Sequence, residues 1–252
     1  MKNPFDLTGK KSIVTGCRTG IGQGAAISLA RAGADVVSFD RNEPAETRTA
    51  VESFGRRFSW TRVDLLTATA AELQQAVDEV TAIHPVDILI NNAGMCPRAP
   101  ITEFTAEMWE ETIKLNLSCV WYLSQAVARR MIARKSGKII ITGSVLTFQG
   151  GLNVPGYAAS KHGVAGIAKS MANSLAEHGI NVNVIAPGYI RTKLTQAIQE
   201  DAERNESILE RIPAKRWGTP EDIGGTCVFL ASHAADYIHG TVICVDGGWM
   251  GR

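Results

Sequence analysis

Lys11-Ser12-Ile13-Val14-Thr15-Gly16-Cys17-Arg18-Thr19-Gly20-Ile21-Gly22 is the stretch whose reading decides the fold. Its first five residues make a short apolar strand. The three glycines let the backbone bend sharply and approach a ligand closely. Helical apolar spacing follows over residues 25–32, and Gly33 is a stop signal. Asp35-Val36-Val37-Ser38-Phe39 then reads as a second strand, ending at Asp40. Strand, glycine turn, helix and strand form a βαβ unit. The start of such a helix offers unpaired amides and a positive dipole end to a pyrophosphate. An acid closing the next strand can accept both hydroxyls of a ribose, and Asp40 stands 18 residues after Gly22. A tight turn without a ligand is the competing reading of the glycines alone. Strand, helix and Asp40 together favour a dinucleotide site.

Asp40 also bears on which dinucleotide. Its carboxylate would repel a 2′-phosphate, so NAD is expected over NADP. Arg18 and Arg41 argue the other way, because either guanidinium can pair with that phosphate; NADP therefore stays admissible.

Outward from this unit, strands and helices keep alternating. Phe58 to Leu65 reads as a third strand, and Asp64 in it either meets an adenine amino group or caps the next turn. Residues 70–82 are amphipathic. Val86 to Ile90 is a buried parallel strand by its apolar content, followed by Asn91-Asn92-Ala93-Gly94. Those four suit either a backbone passing under a cofactor or a plain polar turn. Residues 105–130 read as one long helix with Asn116 inside it, an unfavourable place for Asn unless its amide holds a kinked backbone or a water. Lys138 to Thr142 is another buried strand, running into Gly143-Ser144 and the loop Gln149-Gly150-Gly151. Asn181 to Ala186 is a sixth strand, closed by Pro187-Gly188, and Val242 to Asp246 is a last one. Between them, residues 189–211 read as polar and helical with no strong apolar face, a mobile lid. No repeat or linker interrupts the pattern. The expectation is one doubly wound α/β domain over residues 1–252.

Composition narrows the partners. A net charge of +1 suggests no nucleic acid, and no apolar run approaches a membrane span. The five cysteines lack metal-ligand spacing and read as reduced thiols, which points to the cytoplasm.

Tyr157 and Lys161, four residues apart in Val154-Pro155-Gly156-Tyr157-Ala158-Ala159-Ser160-Lys161, share one helix face. A nearby ammonium lowers a phenol's pKa, which would let Tyr157 exchange protons with an alcohol or carbonyl oxygen near neutral pH. A surface Tyr-x-x-x-Lys pair is the plainer reading. Ser144, at a strand end, can meet Tyr157 over the sheet's carboxyl edge or serve as a turn cap.

Taken in order, Thr15-Gly16-x-x-x-Gly20-x-Gly22, Asn91-Asn92-Ala93-Gly94, Asn116, Ser144, Tyr157-x-x-x-Lys161, Pro187-Gly188 and Asp246-Gly247-Gly248 resemble the short-chain dehydrogenase/reductase family along nearly the whole chain. The resemblance implies a Rossmann-type, seven-stranded parallel sheet flanked by helices, a nicotinamide cofactor, no metal, and a homotetramer. It implies that Tyr157 is the acid/base, that Lys161 tunes it and holds a ribose, that Ser144 binds the substrate oxygen and that Asn116 anchors a relay water. Gly16, Arg18, Thr19, Gly20, Ile21 and Gly22 would surround the pyrophosphate. Asp40 would hold the adenosine ribose, and Asp64 and Leu65 the adenine. Asn92, Ala93, Gly94, Pro187, Gly188, Ile190 and Thr192 would complete the cofactor site.

Within that family, Phe148-Gln149-Gly150-Gly151, Ile212 to Gly218, Asp236 to Gly240 and Val245 to Trp249 are similar to sugar-acid enzymes of the 2-deoxy-D-gluconate 3-dehydrogenase subgroup. That subgroup lacks an acid at the place of Asp40, where this chain departs from it. Gluconate 5-dehydrogenases and 3-oxoacyl-thioester reductases are the competing enzymes; a non-catalytic dinucleotide sensor is the competing non-enzyme. A sugar acid needs a cation for its carboxylate. Arg98 is the candidate, with Gln149 as a further substrate contact and Arg191, Lys193 and Arg204 as alternatives.

Overall fold

The sheet is built from strands whose alternate side chains enter two separate cores. In the computed structural model, which describes residues 3–251, Ile13, Leu89, Ile139, Ile141, Val182 and Val184 pack on one face of the sheet, and Val14, Ile88, Ile90, Ile140 and Ile185 on the other. Strands covered on both faces read as nearly continuous apolar runs, which is why they were visible in the sequence.

The seven strands are β1 (Lys11–Thr15), β2 (Asp35–Asp40), β3 (Phe58–Arg62), β4 (Ile88–Asn91), β5 (Gly137–Thr142), β6 (Ile180–Pro187) and β7 (Val242–Val245). They lie in the order β3-β2-β1-β4-β5-β6-β7, all pairs parallel. The order reverses between β1 and β4, and the carboxyl ends of these two strands flank a crevice there. α1 (Gly20–Arg31), α2 (Ala45–Ser53) and α9 (Pro220–Ala231) cover one face; α3 (Ala70–Ile83), α5 (Cys119–Ile132) and α6 (Pro155–Leu175) cover the other. Thr69 and Glu72 form a reciprocal cap on α3, and Thr219 and Asp222 do the same for α9, whose first residue is Pro220. No helix among the described residues is long and apolar enough to cross a membrane.

Three sequence expectations change. The helix expected over residues 105–130 is α4 (Ala106–Ile113), a π-helical turn (Lys114–Ser118) and α5. The third strand ends at Arg62, so Asp64 and Leu65 belong to the loop after it. The segment expected to lack an apolar face forms α7 (Gln196–Glu200) and α8 (Ala202–Arg211), and buries Ile198 and Ile208. These join Val145, Ile212, Trp217 and Trp249 in a third, smaller cluster above the sheet.

Candidate active site

The crevice at the strand reversal is a cleft of about 490 Å³. Gly16, Thr19, Gly20, Ile21, Asp40, Asp64, Leu65, Asn92, Ala93, Gly94, Tyr157, Lys161 and Thr192 line it. Residues from six separate stretches of sequence therefore meet in one place.

The glycine turn is built for close approach. Gly16 and Gly20 have φ of +67° and +63°, a region that penalises any Cβ. A Cβ on Gly22 would lie 2.2 Å from the Gly16 carbonyl oxygen. Gly22 thus sits beneath the turn rather than on the cleft, and its role is to let α1 start against Gly16. Thr15 Oγ1 accepts the amides of Asn92 and Ala93 at 2.9 Å each, and Asn92 Nδ2 donates to the Thr15 and Gly16 carbonyls at 3.2 and 3.1 Å. The Asn92 side chain holds the turn in shape. The amides at the start of α1 and the open space beside them fit a pyrophosphate.

At the adenosine end, Asp40 Oδ2 accepts the Cys17 amide at 3.0 Å and the Ser38 hydroxyl. Burial pushes the Asp40 carboxyl above its ordinary value, against these hydrogen bonds and the nearby Arg18 charge. Asp64 takes parts of both expected roles: it faces the cleft, yet Oδ1 accepts the Leu66 amide at 3.1 Å and Oδ2 lies 3.9 Å from Arg41.

At the other end, Lys161 Nζ donates to the Thr142 carbonyl at 2.7 Å and lies 5.3 Å from the centroid of the Tyr157 ring. Tyr157 keeps some surface open to the cleft, but its hydroxyl is deep, and burial pushes its pKa up to about 12. Ser144 and the Arg98 guanidinium oppose that rise. The expected lowering by Lys161 is not seen. Its amine is drawn to Thr142 over the ring instead of to the hydroxyl, and burial pushes the amine itself down to about 8.

Comparison with known proteins agrees with this arrangement. A family model described as enoyl-(acyl carrier protein) reductase matches residues 16–250. The 2-dehydro-3-deoxy-D-gluconate 5-dehydrogenase of Escherichia coli (strain K12) is 49% identical over 98% of both chains. The chain belongs to the short-chain dehydrogenase/reductase family. Two solved members superpose on it closely. One, described as a 2-deoxy-D-gluconate 3-dehydrogenase from Agrobacterium tumefaciens with bound NADP, is 48% identical over the whole of both chains, with a TM-score of 0.93. The other, a gluconate 5-dehydrogenase from Burkholderia cenocepacia in complex with NADP and tartrate, is 38% identical over 99% of this chain and 98% of its own, with a TM-score of 0.94.

Other expected site residues of this short-chain dehydrogenase/reductase stand back from the cleft. Asn116, fully buried in the π turn, accepts the Met95 amide at 2.9 Å and donates to the Met95 carbonyl at 2.8 Å and to Ser160 Oγ at 3.2 Å. Both its amide hydrogens are committed to the loop after β4 and to α6. Ser144 is a cap as well as a neighbour of Tyr157, accepting the Leu146 amide at 3.1 Å. Ile190 turns its side chain into the core beside Gly218, so only its backbone is left to meet a cofactor. Pro187 ends β6, and Gly188 packs where a Cβ would lie 2.7 Å from Asp246 Cα. Gln149 Oε1 accepts the indole N–H of Trp249 at 2.9 Å. Arg18 and Arg98 are exposed.

Several contributors escaped the sequence reading. Ser38, Thr142 and Ser160 each support a site residue through one or two hydrogen bonds, and Thr15, quoted in the glycine motif without a role, makes three. A polar residue inside an apolar strand, as Ser38 is, was the available signal. Cys96, whose thiol burial pushes up, lies near both Tyr157 and Lys161.

Proposed function

We propose that this chain is an NAD-preferring oxidoreductase that interconverts a secondary alcohol and a ketone of a small sugar acid, in the manner of the 2-dehydro-3-deoxy-D-gluconate 5-dehydrogenases it resembles. The observation that carries this is the meeting, in one cleft, of the glycine turn and Asp40 with Tyr157 and Lys161. Gly16, Gly20, Ile21 and Thr19 would hold the pyrophosphate, Asp40 the adenosine ribose, Lys161 the second ribose. Bound there, the nicotinamide supplies the site that gives or takes the hydride. Tyr157 holds the proton that is delivered to a ketone oxygen: its pKa of about 12 keeps the hydroxyl protonated at neutral pH. Ser144 steadies the same oxygen, and polarisation by these two hydroxyls gives a carbonyl the help that a metal supplies elsewhere.

A substrate carboxylate has a partner waiting. Arg98 is exposed and makes no ion pair or hydrogen bond among the described residues, and its charge opposes the rise of the Tyr157 pKa. Residues 189–211 would close over the bound substrate as a lid, with Thr192 and Lys193 already at the cleft mouth. All five cysteines are free thiols, which supports a reducing, cytoplasmic setting.

One experiment tests the assignment. Purified enzyme is given a panel of gluconate-type acids, neutral polyols and acyl thioesters with NAD and NADP. Turnover should appear with the acids. Tyr157→Phe should lose about 10²–10⁴-fold in kcat while still binding cofactor. Arg98→Ala should raise KM for an acid far more than for a polyol. A Tyr157→Phe enzyme that kept its rate would overturn the role of the phenol. Equal KM effects on acid and polyol would remove that of Arg98.

A further inference from the structure

Ser38 is out of character with its strand. Val36, Val37 and Phe39 around it are buried apolar side chains, and Ser38 is itself fully buried. A hydroxyl at such a place is costly unless paired. Its partner is Asp40 Oδ2, two residues on and so on the same face of β2. The same oxygen accepts the amide of Cys17, the second residue of the glycine turn. One carboxylate oxygen thereby ties the strand to the turn. The Cys17 thiol also bonds to Asp40 and to Ser38, and Asp40 lines the cleft.

The cations nearby explain why this tie matters. Arg18 is exposed, lies near Asp40 and makes no hydrogen bond or ion pair among the described residues. It is free to neutralise a phosphate. Arg41 already faces Asp64 across 3.9 Å. A carboxylate free to swing would move aside and let Arg18 receive a 2′-phosphate. A carboxylate held from behind keeps its negative charge where that phosphate would sit.

We propose that Ser38 is a specificity-determining positioning residue: with the Cys17 amide it pins the Asp40 carboxylate so that one oxygen meets the ribose diol and a 2′-phosphate is excluded. This rests on the reading that the cleft prefers NAD.

Equilibrium binding of NAD and NADP, measured by calorimetry without substrate, tests it on the wild type, Ser38→Ala, Asp40→Ser and the double variant. Wild type should bind NAD more tightly. Ser38→Ala should narrow the NAD-over-NADP affinity ratio by about tenfold, the scale of one hydrogen bond to a charged group. Asp40→Ser should narrow it at least as much. Adding Ser38→Ala to Asp40→Ser should then change nothing, because no carboxylate remains to be held. Ser38→Thr, which keeps the hydroxyl, should keep the wild-type ratio. An unchanged ratio in Ser38→Ala overturns the inference, as does an equal shift in both backgrounds, which would report a general defect of β2. A wild type that prefers NADP overturns the cofactor reading itself, and the pinning role with it; the wild-type ratio thus tests the reading, and the change between variants tests Ser38.

Discussion

Burial works against both members of the Tyr157–Lys161 pair. It raises the phenol to about 12 and lowers the amine to about 8, so each favours its neutral form. The sequence showed the two on one helix face but could not show depth, and depth decides the sign. For stability, the folded value of Lys161 lies below the free-lysine value of 10.5. Between about pH 8 and 10.5 the unfolded chain binds more protons, so the stability contribution of Lys161 rises with pH through that window and is at its poorest below it. Lys161→Met should therefore be more stable than wild type at pH 7, by about 1–3 kcal/mol after the lost bond to Thr142 is allowed for. The advantage should shrink towards pH 10, and turnover should be lost. Urea unfolding of both proteins at pH 7 and pH 10 checks this; a stability difference independent of pH would rule it out.

The π turn is the element the sequence concealed. One widened turn shifts the apolar stripe over residues 105–130 by a single residue, which a loose helical pattern absorbs, so periodicity gave a single helix. Asn116 was the only local sign, as a polar residue with no reason to be buried. The turn places its amide against Met95 and Ser160, joining the loop after β4 to α6 just behind the Tyr157 backbone, whose carbonyl accepts from Ser160 at 2.7 Å. Asn116→Ala should cost about 1–3 kcal/mol, because it leaves part-buried backbone groups of Met95 without their partner. Denaturant titration should show that loss, and proteolysis should show earlier cutting near residues 94–100. Wild-type behaviour in both assays would mean that the loop is held by something else. The apolar side of α7 and α8 was hidden for a related reason. Ile198 and Ile208 stand on separate short helices broken at Asp201, so no single helical period runs through both.

At the scale of the whole molecule, the parallel sheet was the most legible feature, since β1, β4 and β5 are largely apolar runs bounded by turn residues. Assembly was legible only through resemblance. We propose a homotetramer, supported by the exposed apolar side chains Ile101, Trp109 and Trp121 and by the open edge of β7, where Cys244 is exposed. Sedimentation should give four times the chain mass, and a monomer at micromolar concentration would refute it. The small cluster above the sheet has its own practical consequence. Trp217 and Trp249 flank Tyr189 at ring distances of 5.4 and 4.8 Å, and the Arg211 guanidinium sits 3.8 Å above Trp249. Two native fluorophores are thus built into the cluster that holds α7 and α8, one beside a cation. If residues 189–211 move as the proposed lid, the emission of these two, read in a background with the other three tryptophans replaced, should report that movement.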